Sequence, residues 1–302
     1  MSIVTQSRSK NRFRPDLKEV RSEREKMPVR RSPNRRKQER ILKFKERVSW
    51  YLMLPFCLLS LLAFMELFMK ASLRGSLLTS SECVWFALGA LFWGVLFATM
   101  RRSFVVAYVF AHEMTHIVTA LLFGAVIYDW HVGKDGGWVD TNKSNTFISL
   151  SPYVVPFYTL LVLLVFGITG LFVDVNQVHF LHVSGYDLPV HASKIMHCLV
   201  GFTWCFHLTF TLTVMREEQG DLVRNGQFFS VWLIALLNLY LIICFLISFS
   251  HDVTWADVYG CLNDRLCAIL GGVWDGVTWA WGKACAEKTH MAGLYQAWHG
   301  QH

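Results

Sequence analysis

Two histidines and a glutamate interrupt an apolar stretch near the middle of the chain, in the segment AHEMTH within residues 104–125. On a helix, His112 and His116 lie about one turn apart and point the same way, so both imidazoles can reach one metal ion. Glu113 lies about 100° around the helix, where its carboxylate can accept a proton from a metal-bound water. The spacing predicts a zinc site with two histidine ligands and Glu113 as general base.

The apolar surroundings favour the metal interpretation. A charged or strongly polar side chain inside a membrane is costly unless it has a partner, and a zinc ion would be a shared partner for these residues. Zinc held by two histidines and one further ligand keeps a position for water and lowers the pKa of that water toward 7. The alternative is that the histidines are buried structural residues, each bonded to a neighbouring helix.

The motif resembles that of the site-2 protease family of intramembrane zinc metalloproteases. The resemblance covers roughly residues 103–250: the His-Glu-x-x-His helix, Phe123-Gly124-Ala125 after it, a β-like loop with Gly136-Gly137, and further apolar helices. It implies a zinc endopeptidase that cleaves membrane-embedded substrate helices, with His112 and His116 as ligands and Glu113 as base. Members usually take the third ligand from an Asp in an Asn-Pro or Asp-Gly signature of a later helix, and the later apolar stretches here contain neither signature.

Two residues can supply the third ligand. His207, in GFTWCFHLTFT, is predicted to lie at nearly the same membrane depth as His112 and His116, on a helix parallel to theirs. Asp221, in REEQGDLVRNGQ, has the expected chemistry but follows charged residues and should lie near the membrane surface, unless a re-entrant turn brings it inward. The depth argument favours His207, with Asp221 as the alternative.

Six apolar stretches are long enough to cross about 30 Å of hydrocarbon: about 49–70, 83–100, 103–124, 148–173, 196–215 and 228–250. They predict an all-α polytopic membrane protein, with a short β-hairpin at 126–145 after the His-Glu-x-x-His helix and Gly136-Gly137 as the turn of that hairpin. Only Met100-Arg101-Arg102 separates the second and third stretches, which predicts a tight hairpin. Pro152 and Pro156 remove backbone donors from the fourth stretch and should kink or break it.

Charge divides the chain into two parts. Residues 1–48 contain 17 Lys and Arg against 6 Asp and Glu, whereas the rest contain 12 against 16. We expect 1–48 to be a disordered cytoplasmic tail, with helix near Arg40–Val48, that lies close to anionic lipid. Residues 49–102 would form two leading membrane helices, 103–250 the catalytic membrane core, and 251–302 a Trp-rich interfacial segment.

These features predict an integral, multi-pass membrane protein with a cytoplasmic N terminus, and the family resemblance favours a bacterial inner membrane. The expected partner is a transmembrane protein substrate, and no nucleic-acid partner is expected. The eight cysteines contain no C-x-x-C pair, which argues against a thiolate zinc site. A non-catalytic zinc-binding protein or a metal transporter is the alternative function, although the predicted spans after residue 103 contain a single acid, Glu113, rather than a path of acids.

Overall fold

The structure is a computed structural model that describes residues 33–73, 76–175, 177–183, 186–217, 219–250 and 252–299. The helices in chain order are α1 (Pro33–Val48), α2 (Leu54–Leu73), α3 (Ser76–Thr79), α4 (Ser81–Met100), α5 (Val105–Leu122), α6 (Thr146–Leu150), α7 (Phe157–Thr169), α8 (Ala192–Val214), α9 (Gly220–Asn225), α10 (Gln227–Phe249) and α11 (Trp255–His299). The strands are β1 (Ile127–Gly133), β2 (Gly136–Thr141), β3 (Val178–Val183) and β4 (Tyr186–His191), and they form two antiparallel hairpins, β1–β2 and β3–β4.

The described part of the chain is mostly helical, as the apolar stretches predict. Four helical segments are long and apolar enough to cross a membrane: Arg36–Leu73, Ser81–Leu122, Ala192–Val214 and Gln227–Phe249. A fifth candidate is the bent pair Thr146–Tyr153 and Phe157–Thr169. Length and composition therefore identify four or five candidate spans, as expected of a membrane protein, where the sequence predicts six. The difference arises because the second and third predicted spans lie within one helical segment, Ser81–Leu122.

The end of the basic N-terminal region belongs to the same continuous helical segment as the first predicted span. The helix predicted near Arg40–Val48 is part of α1, which continues through a π-helical turn, Ser49–Met53, into α2. Residues 1–32 of the predicted tail lie outside the described residues. The chain divides after Phe44 into two units, and the second, from Lys45 onward, contains every element after α1.

The link between α4 and α5 is a short 3-10 turn, Arg101–Phe104, at the place of the predicted hairpin. The rings of Trp93 and Phe104 are 5.1 Å apart, edge to face. A straight helix would place these two residues about 16 Å apart along its axis. The chain therefore changes direction at this turn, and α4 packs most extensively along α8.

Glycines permit the close approach of α4 and α8. A Cβ at Gly89 would overlap the backbone carbonyl of Cys198, and a Cβ at Gly201 would overlap the carbonyl of Phe86. Close helix pairs in membranes use small residues in this way, because they let two backbones come into contact. The fully buried Trp93 lies beside this contact and donates from Nε1 to Thr209 Oγ1 at 2.9 Å.

Replacing Gly89 or Gly201 by Val is expected to destabilise the protein by about 3 kcal/mol, because a backbone carbonyl cannot move aside as a flexible side chain can. Unfolding in detergent micelles with increasing SDS, followed by circular dichroism, measures the effect. Gly94→Val is the matched control, since Gly94 lies in the same helix with no atom near its Cβ position. Equal stability of all three variants would contradict this account of the packing.

The fourth predicted span is broken, as its prolines predict. α6 and the 3-10 turn Ser151–Tyr153 meet α7 at an angle of 81°. α7 then packs along α8, where Thr159 and Thr203 share a hydrogen bond of 3.0 Å. The break lies against α10, because Asn238 Nδ2 donates to the carbonyl of Tyr153 at 3.0 Å. Asn238 thus joins α10 to the break of the bent pair, where Pro152 and Tyr153 are buried.

Within the segment that follows residue 251, Trp255–His299 form one helix, α11, of 45 residues. Its first turns pair with α2 through Lys70 and Asp257 at 3.1 Å and through Glu66 and Arg265 at 2.6 Å. Farther along, large apolar side chains such as Trp274 and Trp281 are exposed. This helix is not among the candidate spans, and its exposed tryptophans suit the predicted interfacial location.

Candidate metal site

The two histidines of the motif lie together on α5, with ring centroids 4.9 Å apart. His116 Nδ1 is 2.8 Å from the backbone oxygen of Ile148 in α6. Because a carbonyl can only accept, His116 donates from Nδ1, and Nε2 is the ring nitrogen that could bind a metal ion. Nε2 lies 3.4 Å from Asp221 Oδ2, so the ring is held by α6 on one side and faces α9 on the other.

His112 is held by two tyrosines. The hydroxyl of Tyr108, one turn earlier on α5, lies 3.4 Å from His112 Nδ1. The ring of Tyr153, at the break of the bent helix pair, meets the His112 ring edge to face at 5.1 Å and is fully buried. The break that the prolines cause therefore contributes a wall to the site.

Asp221 completes the group. The ligand atoms of His112, His116 and Asp221 all lie within 4.8 Å of one another, which makes this a group that could hold a metal ion. Asp221 lies on α9, a six-residue helix between α8 and α10. The next residue, Leu222, is almost fully buried in a cluster with Leu150 and Tyr153, and this packing turns α9 inward.

The surroundings of Asp221 favour its ionised form. Burial alone would raise the pKa of this carboxyl group, but the hydrogen bond to His116 and the charges of His116, His112 and Arg224 outweigh it. The pKa of Asp221 is therefore below its usual range. A carboxylate is the form in which an aspartate binds a metal ion.

His207, the residue favoured by the depth argument, is not a member of this group, and the alternative, Asp221, occupies the place beside the histidines. His207 is buried on α8 and lines a separate cavity of about 10 Å³ together with His112 and Tyr108. Its Nε2 has no hydrogen-bond partner within the described part of the chain. Similar depth in the membrane is not enough to bring two side chains together. The direction in which His207 points around the axis of its own helix also matters, and depth does not determine it.

Glu113 lies beneath the β1–β2 hairpin. Its side chain is buried, and the backbone of Gly137 in β2 covers it so closely that a Cβ at Gly137 would lie 2.6 Å from Glu113 Cγ. The sequence suggested a turn at Gly136-Gly137, whereas the turn is at Lys134-Asp135 and both glycines belong to β2. Gly137 thus has a role that its turn-like sequence did not reveal: it lets a strand lie over the carboxylate of the motif.

A cleft of about 770 Å³ connects these residues. His112, Glu113 and His116 line one side, and β2 lines another with the whole of its length. Asp221 and the exposed Arg224 of α9 contribute further walls. The strand β2, the Glu113 carboxylate and the candidate ligand group of His112, His116 and Asp221 therefore all line the same cleft.

Two supporting features could not be read from the motif. The carbonyl of Ile148 orients His116, yet any residue type could supply it. Lys45 lies far away in sequence, yet it contacts Thr146 of α6 and Asn225 of α9, the two elements beside His116.

Comparisons of the chain with protein-family models, with curated proteins and with solved structures find no match.

Proposed function

We propose that the protein is an intramembrane zinc metalloendopeptidase similar to the site-2 proteases. The observation that carries the proposal is the meeting of three side chains of types that can bind a metal ion, together with a buried glutamate, in one cleft among apolar helices. His112, His116 and Asp221 are the proposed ligands, and Glu113 is the proposed general base. Three such groups at one place in a largely apolar setting are explained together by a metal centre.

The donor set fits zinc. Two imidazole nitrogens and one carboxylate oxygen are a ligand set found in catalytic zinc sites, which leave a position for water or substrate. The hydrogen bond from His116 Nδ1 to the Ile148 carbonyl is the outer contact that fixes a ligating imidazole, and it supports His116 as a ligand through Nε2. Zinc, when bound, would supply Lewis-acid chemistry that activates water for attack on a peptide carbonyl.

Glu113 would carry out the proton transfers of the proposed reaction. Glu113 is buried, lines the cleft and interacts electrostatically with both His116 and Asp221. We propose that its carboxylate accepts the proton from the attacking water and then delivers it to the leaving nitrogen of the peptide. The close cover of Gly137 keeps bulk water away from one side of this carboxylate.

The hairpin β1–β2 would hold the substrate. It is a two-stranded sheet in which β2 lines the cleft, and its pairing with β1 satisfies one side of its backbone. The other edge can pair with an extended peptide by β-augmentation. A transmembrane substrate keeps its backbone bonded as helix, so it must unwind before it can bind in this way.

We further propose six membrane crossings, with α4 and α5 as separate ones joined at Arg101 and Arg102. The 42-residue segment Ser81–Leu122 would be about twice as long as the hydrocarbon is thick, and its change of direction at the 3-10 turn supports two crossings. Basic residues at this turn and in the N-terminal region favour the cytoplasmic side for both. A bacterial inner membrane and contact of the basic tail with anionic lipid are parts of the same proposal.

The proposed function is tested with purified protein in liposomes and a panel of synthetic transmembrane peptides, half of which carry a central Gly-Pro pair to weaken the helix. We expect cleavage within the membrane part of the weakened peptides, identified by mass spectrometry. Removal of zinc with a chelator should abolish cleavage, and added zinc should restore it. Cleavage that persists in metal-free protein, or zinc-loaded protein that cleaves no peptide of the panel, would contradict the proposal.

A further inference from the structure

We propose that Lys45 is a positioning residue of the metal site, joining the two elements that hold His116 and Asp221 in place. The inference rests on the proposed zinc site and adds to it a residue far outside the region of family resemblance. Lys45 lies in the last turn of α1, shortly before the first span that the sequence predicts, which begins at about residue 49. No feature of the sequence connects it with the motif on α5.

The lysine forms a closed set of hydrogen bonds with two polar side chains. Its Nζ donates to Thr146 Oγ1 at 2.9 Å and to Asn225 Oδ1 at 3.0 Å. The Thr146 hydroxyl donates in turn to the same Asn225 oxygen at 2.9 Å. Nζ also lies 5.0 Å from the centre of the Phe229 ring, a cation–π contact. Each of the three polar groups thus has partners in the other two.

The two partners of Lys45 belong to the supports of the proposed ligands. Thr146 is the first residue of α6, and two residues later the carbonyl of Ile148 accepts the hydrogen bond from His116. Asn225 is the last residue of α9, is buried, and donates from Nδ2 to the backbone oxygen of Asp221 at 3.0 Å. Lys45 therefore connects the segment that orients one ligand with the helix that carries another.

Packing alone does not explain a lysine at position 45. Within the described part of the chain, its Nζ contacts two neutral oxygens and a ring, but it forms no ion pair. Partial burial of an unpaired ammonium group costs free energy that an apolar residue would avoid. What an apolar residue cannot do is donate at once to oxygens on two separate elements. The geometry therefore points to Lys45 as the residue that fixes the distance between α6 and α9.

The test compares Lys45→Met with the control Lys43→Met, which removes the same charge from an exposed position of the same helix. Zinc affinity is measured on purified protein in detergent by competition with a chromogenic chelator. We expect Lys45→Met to weaken zinc binding about tenfold, as loss of an outer support typically does, and Lys43→Met to leave it unchanged. Bound cobalt(II) should also show an altered visible spectrum in Lys45→Met, because the ligand geometry changes.

If Lys45→Met fails to fold, Thr146→Val decides the question, since it removes one hydroxyl of the same set at nearly constant volume and should also weaken zinc binding. Zinc affinity and cobalt spectra equal to those of the Lys43→Met control, in whichever of these variants folds, would overturn the role of Lys45 alone. Wild-type protein that binds neither zinc nor cobalt(II) would instead remove the proposed metal site itself, and this inference with it.

Discussion

Replacing Glu113 by Gln is expected to lower the rate of peptide cleavage by about 10³-fold while zinc content stays at the wild-type level. Glutamine keeps the size of the side chain, so the tight contact with Gly137 is preserved. It cannot accept and return a proton as a carboxylate does. The loss would therefore be a loss of chemistry, with folding and metal binding intact.

The comparison uses the membrane peptides that the wild-type protein cleaves and measures initial rates alongside zinc by elemental analysis. Glu46→Gln is the matched control, because Glu46 is exposed in α1 and lies outside the cleft. Unchanged cleavage in Glu113→Gln would contradict the role of this residue as general base. Zinc transport into liposomes that survives in Glu113→Gln but is lost in His116→Ala would support the transporter alternative instead.

The sequence predicted those features of the site that depend on local helix geometry and on the loss of backbone donors at proline. His112 and His116 share a face because four residues make about one helical turn, and no tertiary information is needed for that. Pro152 and Pro156 break their helix for an equally local reason, the loss of backbone donors. In the structure that break brings Tyr153 against His112, a consequence that depends on how the two helix pieces pack.

The third member of the group depends on tertiary packing, which the local sequence does not determine, and the depth argument favoured His207 over Asp221. Asp221 follows charged residues, which favoured a place at the surface. The side chain next to it, Leu222, is almost fully buried, and Asn225 is buried as well, so the short helix α9 turns inward. The apolar Leu222 directly after Asp221, on a segment too short to span a membrane, was a local signal that this segment packs inward.

The number of spans shows a related limit. Hydropathy identifies apolar residues but does not tell whether consecutive helices are stacked end to end or folded back. For α4 and α5 the answer depends on the contact of Trp93 with Phe104 and on the glycines that bring α4 against α8. A glycine within an apolar helix was therefore informative about packing, although the sequence alone gave no partner for it.

Exchanging Asp221 for Asn is expected to weaken zinc binding by more than about 100-fold, whereas His207→Ala should weaken it by less than about tenfold. Asparagine matches the shape of aspartate but lacks the negative charge, so it should pack beside Leu222 as before and bind the metal poorly. His207 lies outside the candidate ligand group, and its removal should enlarge a cavity behind His112 without removing a proposed ligand atom.

Competition with a chromogenic chelator gives both affinities, and Asp275→Asn, an exposed aspartate of α11, controls for the loss of one negative charge. Circular dichroism and gel filtration in detergent confirm that each variant is folded. If His207→Ala loses zinc while Asp221→Asn retains it, the third ligand is His207 and the bound state must differ from this structure at α8 and α9. If Asp221→Asn loses zinc as expected, the inward turn of α9 is what makes the motif on α5 into a complete metal site, because two histidines one helical turn apart do not by themselves provide the third ligand that a catalytic zinc requires.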